Sequence, residues 1–354
     1  VPLFRKLKQC VGLDIGSSAI KVVELKPMSK GDKKYQLLSL GIEPLSPEVI
    51  VDGTIMDAVS VIDAIERAFQ ENKVKGMEIA TGVSGNPVII RKISLPLMSP
   101  EELSESIQWE AEQYIPFDIQ EVNIGYEILE GTKSQEHGTM DVILAAVKKD
   151  KINDYTSVIK QAGKSPMVVD VDAFALYNAF EANYPEELNK TIALINLGSN
   201  VMNINIIQNG ISVFWRDTTI GGGQYTEAVQ KELNLSFQQA ENLKKGIEID
   251  GISPDRVVPI INAVSETILT EIQRTFEFFQ TQSNRDHMDK VVLAGGAART
   301  IGFDQMVSER FGTPVEIFNP FRAISFNSKD FDPDFLMEIG PSMVVAVGLA
   351  MREV

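Results

Sequence analysis

A chain of 354 residues with 44% apolar and 23% charged side chains is long enough for two buried cores and too apolar to stay disordered. Its net charge of −16 argues against nucleic acid as a general partner, and a single cysteine, Cys10, excludes an internal disulfide framework and suits a reducing compartment. No signal-peptide pattern opens the chain, the longest apolar run (343–351) is interrupted by Gly348, and the basic lead-in 4–8 is too short for an anchor, so no membrane span is expected. From the N-terminus, 10–25 reads as a strand, a tight Gly16-Ser17-Ser18 turn and a returning strand, and 35–42 as a third strand. Val61, Ile62, Ile65, Ala68 and Phe69 recur at helical spacing within 57–72. Residues 77–164 carry their own strands (79–83, 88–95, 122–129, 142–147), a polar loop over 130–139 and two helices, and read as an inserted subdomain. Its first helix starts at Ser99-Pro100-Glu101-Glu102, with a capping serine, a proline at the first helical position and acids in the first turn. Further on, 167–172 predicts a strand, 173–182 a helix capped by Asp172, and 192–220 a second hairpin turning at Asn209-Gly210. Helices are expected over 225–233, 237–246 and 258–282. An apolar strand at 291–294 ends in Gly295-Gly296, a helical segment reaches about 311, a short strand covers 315–318, and a last helix starts at Pro341.

Two of these segments repeat each other. Leu13-Asp14-Ile15-Gly16-Ser17-Ser18 followed by Lys21 is matched, residue for residue, by Ile195-Asn196-Leu197-Gly198-Ser199-Asn200 followed by Asn203. One glycine turn in each half is what a clamp on a phosphate chain needs, because each turn brings backbone N–H groups close to an anion. Asp14 sits where a carboxylate holds Mg²⁺ directly or through water, and Lys21 returns on the next strand within reach of the same anion. Asn196 and Asn203 carry no charge, so the second half is shaped for binding and poorly charged for chemistry.

Three further places belong with these turns. Gly222 opens a helix after the second hairpin. Glu241, Lys244 and Lys245 end a helix, placed to meet a ribose and a base, and Gly295-Gly296 with Arg299 makes a strand-to-helix turn that a flat or anionic ligand can approach. Asp170 ends a strand where a carboxylate orients water. His137 and His287 fall in polar stretches far apart, no metal-ligand spacing is present, and no nucleophile motif supports a triad.

The order of phosphate hairpin, strand–helix with Asp170, second phosphate hairpin, Gly-Gly turn and Gly348-bearing final helix resembles the actin/Hsp70/sugar-kinase superfamily. That resemblance implies an α/β fold of two ribonuclease-H-like lobes. The insertion falls where FtsA carries its 1C subdomain, and Glu110-Ala111-Glu112-Gln113-Tyr114-Ile115-Pro116-Phe117 is similar to a signature of the PilM family of type IV pilus assembly proteins. The resemblance covers nearly the whole chain. It implies subdomain 1A over 10–76, 165–190 and 334–354, 1C over 77–164, 2A over 191–230 and 289–333, and 2B over 231–288.

The same resemblance implies ATP or ADP with Mg²⁺ between the lobes. It also implies a 1A/1C groove for the N-terminal cytoplasmic peptide of the inner-membrane protein PilN, and recruitment to the membrane's inner face through that protein. Residues 95–98 and the helix bearing Trp109 are candidates for the groove, but Trp109, Tyr114 and Phe117 themselves are expected first as core of the insertion. With Asn196 in place of the second aspartate, hydrolysis is expected to be slow or absent. An active ATPase or phosphotransferase is the alternative. An FtsA-like division filament is a third reading, disfavoured because the sequence stops without an amphipathic tail. Other pilus-machine partners and self-association stay open.

Overall fold

The computed structural model describes residues 8–28, 34–129, 138–249, 251–282 and 287–354; His137 and most of the polar loop before it fall outside these. β1 (Val11–Ile15), β2 (Ala19–Pro27) and β3 (Tyr35–Pro44) form an antiparallel meander. A small hairpin, β4 (Ile50–Val51) and β5 (Thr54–Ile55), turns on Asp52 and Gly53, both with positive φ as a tight two-residue turn requires. α1 (Ala58–Glu71) is capped by Asp57 and buries Val61, Ala64, Ile65, Ala68 and Phe69. β6 (Glu78–Val83) then returns parallel to β1.

β7 (Val88–Pro96), α2 (Pro100–Glu112), β8 (Val122–Ile128) and β9 (Thr139–Lys148) make a separate antiparallel sheet, ordered β7-β9-β8, with α2 packed on it through Leu103, Ile107 and Ala111. α2 has a complete capping box between Ser99 and Glu102. α3 (Lys149–Gln161) follows, and β10 (Ser165–Val171) pairs parallel with β6. The first sheet is therefore β10-β6-β1-β2-β3. Because β6 lies inside that sheet and α3 packs with α1 on its core, the segment with a sheet of its own is narrower than 77–164 and runs from β7 to β9.

α4 (Asp172–Asn183) leads to the second lobe. β11 (Thr191–Leu197), β12 (Met202–Gln208) and β13 (Ile211–Thr218) form its meander; α5 (Gly223–Leu233), α6 (Phe237–Lys244) and α7 (Val258–Gln282) follow. β14 (Lys290–Ala294), α8 (Phe303–Phe311), β15 (Val315–Ile317) and α9 (Pro333–Leu349) complete the chain. The second sheet, β13-β12-β11-β14-β15, repeats the first: three antiparallel strands, then two parallel ones. The duplication read in the sequence is thus a duplication of the lobe.

α4 and α9 cross between the sheets, and their contact depends on glycine. A Cβ on Gly348 would stand 1.8 Å from the Ala175 carbonyl oxygen, and one on Gly12 would stand 2.0 Å from that of Ala346. One apolar cluster joins Val23 and Leu25 of the first lobe, Leu176 and Phe180 of α4, Ile192 and Val292 of the second lobe, and Met343 and Val347 of α9. Asn205 of β12 also donates to the Ala173 carbonyl at 3.0 Å, fixing the start of α4 against the second lobe.

Three expectations change here. The last helix starts at Pro333, capped by Asp332, with Pro341 in its interior. Pro341 has no N–H to give the carbonyl of Met337 one turn back; Arg299 Nη2 donates to that oxygen instead, at 2.5 Å, and Gly295 N–H donates to the Pro341 carbonyl at 2.6 Å. The turn expected to face a ligand therefore also clasps the proline gap in α9. Replacing Arg299 with alanine is expected to cost about 1 kcal/mol of stability, read as a lowered thermal midpoint, because Arg299 is exposed and water takes over part of its role. Asp172 is not the cap of α4. The cap position is Val171, with extended backbone, and Asp172 is the first helical residue. Trp109 is not core: it is 75% exposed, Tyr114 is 39% exposed, and Phe117 is half-buried under Lys148.

Candidate functional site

The two glycine turns close in the same way. Gly16 N–H donates to Ala19 O at 3.2 Å and Gly198 N–H to Val201 O at 3.0 Å, so each turn stands at the end of a central strand with its serine at the tip. In the first, Asp14 lies opposite Lys21 across the hairpin, and Lys21 Nζ meets its carboxylate at 2.8 Å. A Cβ on Gly16 would crowd Lys21 Nζ at 3.2 Å. In the second, Asn196 lies opposite Asn203 and donates to it at 2.8 Å.

The charge missing from the second hairpin returns one strand further out. Asn203 pairs across to Asp217 on β13 and donates to its carboxylate at 2.8 Å. The other Asp217 oxygen accepts from Gly85 N–H, in the first lobe's β6–β7 turn, at 2.6 Å. Burial raises the Asp217 pKa against these two hydrogen bonds. The second half therefore does hold a carboxyl group, one strand out, and it is committed to a clasp between the lobes. The corresponding place beside Lys21 in the first meander is Ile42.

Asp172 sits between the two halves. Burial first, then the charges of Asp14 and Asp217, push its pKa from 3.8 to about 7, against a hydrogen bond from Ser84 and the positive charge of Lys151. Asp172 thus feels the acid of the first hairpin and the acid bound to the second. Lys151 is itself buried, donates to Gly53 O, lies 4.0 Å over the Tyr155 ring, and is pushed down to about 8 by desolvation. Asp170, expected at this site, faces elsewhere: Arg352 Nε binds its carboxylate at 2.6 Å and Val171 N–H donates to it at 2.8 Å. The strand ends at Val171 and the helix begins at Asp172, so the two aspartates do not share a face as alternation would have them.

Around the second turn, Gly222 N–H donates to Gly198 O and Gly223 N–H to Ser199 O, both at 2.8 Å. A Cβ on Gly221 would stand 2.3 Å from Ser199 O, so this approach requires glycine. Ser199, Asn200 and Gly223 lie together. Lys244 is buried beneath, donating to Gly222 O at 3.3 Å, to Thr226 at 2.9 Å and to Glu241, which leaves Lys245 as the exposed cation of that helix end. Gly295 is pressed against Leu197, whereas Gly296 faces open space. Ser17, Ser18, Gly198 and Asn200 keep solvent exposure at the cleft. Among the described residues no group of three or more His, Cys, Asp or Glu is placed to hold a metal ion by itself.

A second concavity of about 370 Å³ lies where two sheet edges meet. Asn123, Ile124 and Tyr126 of edge strand β8 line one side and Val169, Asp170 and Val171 of edge strand β10 the other; Phe174 of α4 closes one end. Leu95, Met98 and α2 belong to the cluster with Leu103 and Met140 on the α2 side of that sheet and do not line this concavity. Phe174 meets Trp215 of the second lobe edge-on, with ring centroids 6.2 Å apart.

Comparison with known proteins gives a consistent picture. A family model described as type IV pilus assembly protein PilM matches residues 12–354. The solved PilM–PilN type IV pilus biogenesis complex holds a chain 28% identical to this one, with a TM-score of 0.86 and 98% of each chain covered. The cell division protein FtsA of Bacillus subtilis (strain 168) is 25% identical over 356 residues, 88% of this chain and 78% of that protein. The ethanolamine utilization protein EutJ from Carboxydothermus hydrogenoformans (16% identity, TM-score 0.57, 99% and 91% covered) shares the fold. So does MreB5 of Spiroplasma citri bound to ADP (13% identity, TM-score 0.52, 96% and 94% covered). The architecture is the actin-like ATPase fold.

Proposed function

Because the chain belongs to the family of type IV pilus assembly protein PilM, we propose that it is an ATP-binding scaffold of the pilus inner-membrane platform that docks the N-terminal peptide of PilN. The observation that carries this reading is the groove between β8 and β10, an apolar slot walled by two sheet edges, beside a cleft with two glycine turns. Edge strands present unpaired backbone groups to an extended peptide, and the apolar lining takes its side chains. Membrane recruitment follows through PilN; among the described residues no helix is long and apolar enough to cross a membrane. The division into 1A, 1C, 2A and 2B stands as part of this proposal, with 1C centred on β7, α2, β8 and β9.

The cleft residues fit a magnesium nucleotide. Gly16, Ser17 and Ser18 from one side, and Gly198, Ser199, Asn200 and Gly222 from the other, offer backbone to the phosphates. Lys21 supplies a cation, and Asp14 with Asp172 supplies negative charge for Mg²⁺. Mg²⁺ keeps waters and shares phosphate oxygens, so one or two carboxylates such as Asp14 and Asp172 are enough to hold it. Glu241, Lys245, Gly296 and Arg299 would border the nucleoside. When bound, the metal would neutralise phosphate charge. Asp172 of the first lobe and Asp217 of the second, then less repelled by each other, would allow the lobes to close further. Movement of β13 would reach the peptide groove through Trp215 and Phe174.

Two measurements test this. Replacing Tyr126, exposed on the groove wall, with alanine is expected to weaken PilN-peptide binding about tenfold without loss of thermal stability; unchanged calorimetric affinity would remove the groove assignment. Replacing Lys21 with alanine is expected to weaken Mg-ADP binding roughly 10- to 100-fold, the worth of a charge-assisted contact. An active ATPase is the second reading, favoured by the place of Asp172 beside Asp14, where burial and that neighbouring charge raise its pKa to about 7 and let the carboxyl take a proton at neutral pH. Rapid single-turnover hydrolysis lost in the Asp172→Asn protein would select it.

A further inference from the structure

The solvent face of α2 is built as a contact surface. Its buried stripe is Leu103, Ile107 and Ala111. At 100° per residue, Trp109 projects opposite that stripe, flanked by Glu102, Glu105 and Glu112. Pro100–Glu112 contains five glutamates and no basic residue, and the helix has no cation in its last turn. Glu102 is tied to the Ser99 backbone, but Trp109 is 75% exposed and makes none of the ring contacts found elsewhere among the described residues. An indole held in water at the pole of an acidic helix gains most from a partner that brings both apolar surface and positive charge. Trp is the best aromatic acceptor for a Lys or Arg cation and is enriched among the few residues that dominate interfaces.

The geometry points to α2 as a docking face for a basic, amphipathic segment of a partner protein, centred on Trp109. Charge complementarity selects this occupant: three carboxylates around the indole repel acidic peptides and anionic surfaces alike, and a Lys or Arg laid over the ring pairs with Glu105 or Glu112 at its rim. The face lies on the α2 side of the three-stranded sheet and shares no residue with the β8/β10 groove, so this inference goes beyond the peptide site proposed above.

The test uses the full chain and three ~14-residue peptides: one of Leu, Lys and Arg, one with Glu in place of every cation, and one of Gly, Ser, Lys and Arg with the same positive charge. The first is expected to bind and to shift tryptophan emission to shorter wavelength. The other two are expected to bind at least ~10-fold more weakly. Trp109→Ala should abolish the emission change while leaving the signal of Trp215, the other tryptophan, and should weaken binding about tenfold. Trp109→Phe should recover part of that loss, and Glu105→Lys with Glu112→Lys should weaken binding as much as Trp109→Ala does. Because Trp109 is exposed, these proteins are expected to fold, which PilN-peptide binding checks separately. Equal affinity of the Trp109→Ala protein would overturn the inference in favour of diffuse attraction to an acidic chain. Equal binding of the Glu peptide would also overturn it. Sedimentation showing wild-type dimers and a monomeric Trp109→Ala protein would overturn it too, assigning the face to a second copy.

Discussion

Replacing Gly348 with alanine is expected to cost about 3–5 kcal/mol, enough to leave the chain largely unfolded or molten at physiological temperature. The added methyl would stand 1.8 Å from the Ala175 oxygen, 2.5 Å from its carbonyl carbon and 3.0 Å from its Cα. All three are backbone atoms of α4, so no side-chain rotation relieves the overlap, and the two helices must separate. Separation opens the cluster that holds Leu176, Phe180, Met343 and Val347 together, and that cluster joins the two lobes. The loss is therefore one of overpacking followed by a gap, larger than either alone. Gly125→Ala is the matching control: a Cβ there meets nothing within 4 Å, and stability should change by less than about 0.5 kcal/mol. Denaturant unfolding of the two proteins decides the matter. A Gly348→Ala midpoint close to the wild type would mean that the α4–α9 crossing can yield.

Gly348 was visible in the sequence as an interruption of an apolar run and as part of the final helix; its partner, Ala175, lies 173 residues away in the chain, and only the fold brings them together. The lobes were legible for a different reason. A hairpin is local, and its signals (apolar alternation, a glycine turn, Asn209-Gly210) act within a few residues, so both glycine turns and their hairpins could be read directly. Cross-strand neighbours were not. Asp217 completes the second hairpin from a third strand, and the internal repeat gave no hint of it because Ile42 stands in the first copy. Asp170 and Asp172 illustrate another limit. Their two-residue spacing implies a shared face only while the strand lasts, and the change to helix at Asp172 turns one toward Arg352 and the other toward the cleft. The groove proposed for the peptide was hidden more deeply still, since its walls are edge strands of two different sheets. Proline misled in the ordinary way: Pro341 marks a helix start by propensity, but Arg299 supplies the missing donor and lets the helix run through it.

Asp172→Asn is expected to stabilise the protein, by a margin that grows as pH rises through roughly 4 to 7 and is full above it. The Asp172 carboxyl is raised from 3.8 to about 7 in the folded protein, so between these values the folded state holds a proton that the unfolded chain releases. Stability therefore falls as pH rises through roughly 4 to 7, and above 7 the ionised group carries its full penalty, roughly 2–4 kcal/mol for a shift of this size. Below pH 4 the group is protonated in both states and contributes nothing. Asparagine keeps the shape and an acceptor for Ser84 while removing the charge that Asp14 and Asp217 repel. Its thermal midpoint should exceed the wild type's at pH 8 and converge with it below pH 4. A gain of equal size at both values would show that Asp172 is not held near neutrality by its neighbours. The same destabilising charge is what a divalent cation at the cleft floor would exploit: binding there favours the ionised carboxylate, so wild-type affinity for Mg-ADP should rise between pH 6 and 8. In the Asp172→Asn protein that rise should flatten. Retention of the full slope would move the titrating group elsewhere in the cleft and leave Asp14 as the cation's acid partner.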